Sequence, residues 1–171
     1  QACGCWLHSL KFSTMAQFVS QDKNFCKARN IVFRLLKFRL RSEQELRDTL
    51  TAKSLPAPAV EQTIRYFKDI DLINDRVFAQ QWISSRLKKP FGLNRIQLEL
   101  KKKGIEADII QEAIRKIMDD YDEQAIVTGL MQHRLNQYKG VDTDKIKQRM
   151  YGYLLRRGFN SNIIFKAIKT L

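Results

Sequence analysis

The chain has 171 residues, 44% of them hydrophobic, enough for one modest core or a short series of smaller ones. Thirty-one lysines and arginines against 18 acidic residues give a net charge of +13, a field that concentrates polyanions. This points to nucleic acid or an acidic protein surface as partner, with a solvated basic surface as the bland alternative. No apolar run approaches the roughly 18 residues of a bilayer span, and the odd set Cys3, Cys5 and Cys26 suggests no disulfide framework. A soluble cytoplasmic protein with no membrane partner is expected.

Residues 1–25 read as a leader or unstructured N-terminus, with Met15 a plausible natural start. Within them Cys3, Cys5 and His8 lack the second pair of ligands that structural zinc requires, so no metal is expected. From Cys26 onward apolar residues recur at helical spacing, and comparing segments reveals a repeat. Lys53-Ser54-Leu55, Lys103-Gly104-Ile105 and Arg157-Gly158-Phe159 each lie between two apolar-periodic stretches, as a residue at a helix C′ position does.

In the first copy, residues 26–72, a helix over Ala28 to Leu40 precedes Ser42-Glu43-Gln44-Glu45. That S-x-x-E run predicts a capping box in which Ser42 and Glu45 exchange bonds. Leu46 and Leu50 form the inner stripe of the second helix, and Pro56 and Pro58 open the third, with Val60 and Ile64 facing inward. The second copy, residues 73–119, begins with a helix over Asp75 to Lys88. Gly92 then holds the cap position, Ile96 and Leu100 the stripe, and Asp108 the start of a helix carrying Ile110 and Ile114. The third, residues 120–171, runs from a helix over about Asp122 to Gln137 to one begun by Asp142 or Asp144, with Met150 and Leu154 inward. Asn160 to Asn162 then start a helix with Ile164 and Ile168. The turns are 50 and 54 residues apart. The expected fold is all-α, with three tandem three-helix, helix-turn-helix-like repeats stacked into an elongated curved body.

Over about Cys26 to Leu171 these segments carry a family's ordered motifs. They are Arg41-Ser42-Glu43-Gln44-Glu45-Leu46, then Asp71-Leu72-Ile73-Asn74-Asp75-Arg76-Val77-Phe78-Ala79, which looks like G-x-[IL]-[DN]-D-x-x-[FY]-A. Gly92 to Leu100, Lys103-Gly104-Ile105 and Leu154 to Phe159 follow. In these the chain resembles the RecX family of RecA regulators. Asp71 stands where the family usually has glycine, and Ser54 where the other turns have it, so the first turn carries a steric cost if left-handed. The resemblance implies a non-enzymatic protein, without catalytic residues or cofactor, that lodges in the groove of a RecA filament on DNA. It also implies lowered ATPase, strand-exchange and coprotease activity of RecA; nonspecific affinity for single- and double-stranded DNA and action as a monomer are expected beside it.

The densest basic cluster is Arg86, Lys88, Lys89, Arg95, Lys101, Lys102 and Lys103, interrupted by Glu99. It reads as a clamp on phosphates or an acidic partner, although Lys101 to Lys103 also complement the negative end of a helix dipole. A group from Arg29 to Arg41 covers several faces of one helix, leaving Arg39 and Arg41 near its end as candidates. Arg156 and Arg157 lead a third group, in which Lys145, Lys147, Arg149, Lys166 and Lys169 also fall. Phe78 and Trp82 continue an apolar face and read as core, while Tyr151 and Tyr153 fit either core or base stacking. His133 stands alone, no phosphate-binding glycine loop occurs, and Asp119, Asp120, Asp122 and Glu123 lack calcium-loop spacing. The competing reading is a tandem helix-turn-helix protein with sequence-specific DNA binding. Against it, Leu98 to Lys103 offers a run of lysines and no base-reading set of Arg, Asn and Gln on one helix face.

Overall fold

The structure is a computed structural model that describes residues 23–118, 121–138 and 140–170. Every regular element among them is helical: α1 (residues 23–36), α2 (Glu43–Ala52), α3 (Ala57–Asp69), α4 (Asp75–Leu87), α5 (Leu93–Lys102), α6 (Ala107–Arg115), α7 (Glu123–Leu135), α8 (Thr143–Arg156) and α9 (Ser161–Ile168). The expected all-α fold and its three helical triplets are therefore present. The chain divides into two compact units, one ending at Asn74 and the other beginning at Asp75.

In the first unit α1 contributes Ala28, Ile31 and Val32 to a core with Leu46 and Leu50 of α2 and Val60, Ile64 and Phe67 of α3. The i, i+3, i+4 spacing puts each set on one helix face. The rings of Phe33 and Tyr66 meet Phe67 edge-on at 4.8 and 5.3 Å. Helix α1 already includes residues 23–25, which the sequence assigned to the leader, and Phe25 explains why by packing edge-on against Tyr66 at 5.8 Å. It also stops at residue 36, short of Leu40; beyond its end the guanidinium of Arg39 donates to the Leu40 carbonyl at 2.9 Å and forks onto Glu45 at 2.9 and 3.0 Å. Ser42 caps α2 as expected, its Oγ accepting from the amide of Glu45 at 3.2 Å.

All three repeat turns share one construction. Leu55, Ile105 and Phe159 donate their amides to the carbonyls of Leu50, Leu100 and Leu154 at 3.4, 3.2 and 3.3 Å. Ser54, Gly104 and Gly158 donate to Thr51, Lys101 and Leu155 at 2.8, 3.0 and 2.9 Å. This is the Schellman pattern, with its apolar contact supplied by residues that are all buried. It demands a left-handed residue, and Ser54 adopts φ 56° beside Gly104 at 76° and Gly158 at 83°. Asp71, at the end of α3, is left-handed too, and its carboxylate accepts from the Asn74 side-chain Nδ2 at 3.1 Å. A left-handed L-residue costs about 1–2 kcal/mol, partly offset by the entropy that glycine loses on folding. Ser54→Gly should therefore raise the stability of the first unit by about 0.5–1 kcal/mol, read as a higher urea midpoint.

In the second unit α4 packs on α5 and α6, α5 on α6, and α7, α8 and α9 pack mutually. Phe78, Ala79, Ile83, Ile96, Leu100, Ile105, Ile110 and Ile114 are buried in the second repeat. Val127, Met131, Met150, Leu154, Phe159, Ile164 and Ile168 form the core of the third. Gly92 is the cap of α5 as expected, Asp142 caps α8, and Asn160 caps α9. Asp108 instead lies in the first turn of α6, whose cap position is Glu106, where a carboxylate still complements the helix dipole.

The two repeats meet through backbone. The amide of Gly92 donates to the Arg157 carbonyl at 2.9 Å, and that of Asn94 to the Gly158 carbonyl at 3.1 Å. A Cβ on Gly92 would run into the carbonyl of Gly158, and one on Gly158 into the backbone and Cβ of Arg95.

Candidate functional site

The second repeat gathers its cations around one acid and one indole. Glu99, on α5, accepts from Arg86 Nε at 2.7 Å, Arg95 Nε at 3.2 Å and Trp82 Nε1 at 3.1 Å. Arg86 and Lys103 both lie over the Trp82 ring, 4.4 and 4.3 Å from its centroid. Trp82 stacks on buried Phe78 at 5.7 Å, so Phe78 is core as expected while the indole is half-buried under cations. Each cation–π contact at such a site contributes about 0.5–2 kcal/mol.

A ladder continues across the junction. Arg95 lies over Phe91 at 4.1 Å, and Arg157 reaches back to the Pro90 carbonyl at 3.0 Å. Arg157 also covers Phe91 at 6.0 Å and Tyr153 at 4.8 Å, and Arg134 lies over Tyr153 at 4.0 Å. Tyr153 thus carries two guanidinium groups, while Tyr151 remains 37% exposed. The hydroxyl of Tyr121 donates to the Phe91 carbonyl at 3.3 Å. Glu123, whose carboxylate accepts the Asn160 amide at 3.4 Å, bonds the Leu93 amide as well, bridging the starts of α9 and α5. Burial pushes the Glu123 carboxyl above its ordinary range, only partly countered by those two amides.

The predicted cations therefore separate. Arg86, Arg95, Lys103 and Arg157 are brought together in the network. Lys88 and Lys89 lie exposed beside the junction loop, Lys101 and Lys102 are exposed at the other end of the ten-residue α5, and Arg156 is exposed at the end of α8. In the first unit Arg39 is held by Glu45, and Arg41 is half-buried with an Nε that makes no hydrogen bond. Glu99, Phe91 and Arg134 are site residues that the sequence did not single out, while Tyr153, which fitted either core or base stacking, lies under two guanidinium groups. Glu99 had left a signal, being the lone acid inside the basic run. Cys3, Cys5, His8, Asp119 and Asp120 lie outside the described residues. Among the described residues no group of three His, Cys, Asp or Glu side chains is placed to hold a metal ion, and no helix is long and apolar enough to cross a membrane.

Burial raises the Glu99 carboxyl, but the bonds from Arg95, Trp82 and Arg86 outweigh it and hold the group below its ordinary value of 4.5. The folded pKa is thus lower than the unfolded one. The network's contribution is complete above about pH 4.5 and is lost as pH falls through the depressed value. In a Trp6→Phe background, Trp82 fluorescence should stay flat through neutrality and change on acidification below that range, and Glu99→Gln should remove the transition.

The fold and site define a class: a basic protein of tandem three-helix units whose cations are ordered on aromatic rings. Residues 28–67, 74–114 and 120–168 match, in order, the RecX first, second and third three-helix domains. The regulatory protein RecX of Streptomyces lividans is 34% identical over 145 residues, covering 84% of this chain and 76% of the relative. That of Clostridium perfringens strain SM101 is 30% identical over 157 residues, covering 91% and 73%. The crystal structure of RecX from Lactobacillus salivarius superposes with a TM-score of 0.77 at 25% identity, over 88% of this chain and 97% of that one. A second crystal structure of regulatory protein RecX, at 19% identity, shares the fold with a TM-score of 0.79, over 100% and 82%. The chain belongs to the RecX family of regulatory proteins.

Proposed function

We propose that this chain is a non-enzymatic regulator that binds RecA filaments assembled on DNA and lowers the recombinase, ATPase and coprotease activities of RecA. It acts as a cytoplasmic monomer with accessory, nonspecific affinity for single- and double-stranded DNA. The observation that carries the reading is the ordered run of three RecX three-helix domains along one chain. Electrostatics supports it. A RecA–DNA filament presents phosphates, and the net charge of +13 steers the protein toward them and speeds encounter. Exposed Lys88, Lys89, Lys101, Lys102 and Arg156 are the cations offered to such a partner; Arg39, Arg41, Arg86, Arg95, Lys103 and Arg157 complete the proposed contact set. Co-sedimentation tests the reading. The chain should pellet with RecA filaments at a DNA concentration where bare DNA leaves it in solution, and equal pelleting on bare DNA would make DNA alone the partner.

A further inference from the structure

On α1 of the first unit, Lys27, Asn30 and Arg34 follow one another at i, i+3 and i+7, a single face of the helix. With Lys53, the C-cap of α2, and Ile31 they line an open cleft of about 520 Å3. The side chains of Lys27, Arg34 and Lys53 pair with no carboxylate among the described residues.

Comparison between repeats makes this arrangement unusual. Ala28 and Val32 are fully buried in α1, as Ala79 and Ile83 are in α4, and this register puts Lys27 in the place of Phe78 and Ile31 in that of Trp82. Lys53 and Lys103 are likewise both C-caps. In the second repeat the C-cap lysine lies over the two rings, 4.3 Å from Trp82 and 5.9 Å from Phe78. In the third, Arg157 caps α8 and lies over Tyr153. In the first repeat the rings are gone, and Lys53 shares its cleft with a second ammonium and a guanidinium instead of a π face. Like charges brought together without a counter-charge raise the energy of the site until an anion enters.

We propose that this cleft binds the sugar–phosphate backbone of a nucleic-acid strand. Lys27, Arg34 and Lys53 hold phosphate oxygens, and Asn30 donates a hydrogen bond. An open, one-sided cleft suits a passing strand better than an enclosed small molecule. The proposal rests on the DNA affinity in the reading above and adds a contact in the first unit, independent of the lysines of the second.

The test is fluorescence anisotropy of the full chain on a labelled duplex across a salt series. It compares wild type, Lys27→Gln/Arg34→Gln/Lys53→Gln, and a control losing three exposed charges elsewhere, Arg65→Gln/Arg115→Gln/Lys166→Gln. The cleft variant should flatten the slope of log K against log salt by about 2–3, at roughly 0.9 per lost phosphate contact, and weaken binding at least about tenfold at low salt. The control should stay near wild type. A wild-type slope in the cleft variant, or an equal drop in the control, would overturn the cleft while leaving the DNA reading intact. Wild type without salt-dependent binding would overturn both.

Discussion

Gly158→Ala should cost about 2–5 kcal/mol and unfold the second unit at a clearly lower temperature. Two effects combine in that figure. Gly158 has φ 83°, where an L-side chain costs about 1–2 kcal/mol, and its Cβ would overlap Arg95, where forced repacking costs about 1–3 kcal/mol. Two companion variants separate the terms. Gly140 shares the left-handed backbone at φ 76° but a Cβ there meets nothing within 4 Å, so Gly140→Ala should show the backbone cost alone. Gly92 has an ordinary φ of −75°, yet its Cβ would meet the Gly158 carbonyl, so Gly92→Ala should show the contact cost alone. A Gly158→Ala loss no larger than that of Gly140→Ala, by differential scanning calorimetry, would mean that the two repeats do not meet as described.

Replacing Lys88, Lys89, Lys101 and Lys102 together by glutamine should reduce duplex DNA affinity on the order of a hundredfold at low salt and flatten the salt slope by up to about 3.6. All four are exposed. Their removal therefore leaves the core and the Glu99 network untouched, and the thermal midpoint should fall only as far as the lost helix-dipole contacts of Lys101 and Lys102 dictate, about 0.3–1 kcal/mol each. Substituting Arg86, Arg95 and Lys103 should behave differently. Those cations brace Trp82 and Glu99, so their loss should lower stability along with affinity. A quadruple lysine variant with the wild-type slope would assign these lysines to a solvated face.

The repeat was legible because burial follows period. Leu46 and Leu50, Ile96 and Leu100, and Met150 and Leu154 are all fully buried at matching distances from the turn. The turns were legible because two of three carry glycine. Ser54 could be placed only by analogy, and its φ of 56° shows the Schellman bonds and buried Leu55 prevailing over local preference. The cations were legible as charge but not as geometry. Nothing local links Arg157 to Pro90 or Arg86 to Glu99, since those pairs form only once helices distant in sequence pack. The same holds for Gly92 and Gly158, whose contact depends on how the second and third repeats dock. Lys53 was read only as part of a turn, because its cleft needs α1 and α2 together.

Regulation of RecA through its filament is tested most directly by the DNA-dependent ATPase of the cognate RecA with this chain titrated in. A basic protein of equal charge serves as the control. Inhibition well below one chain per RecA monomer, absent from the control, is the predicted result. Inhibition no greater than that of the control would contradict it and leave a basic helical protein acting through DNA alone.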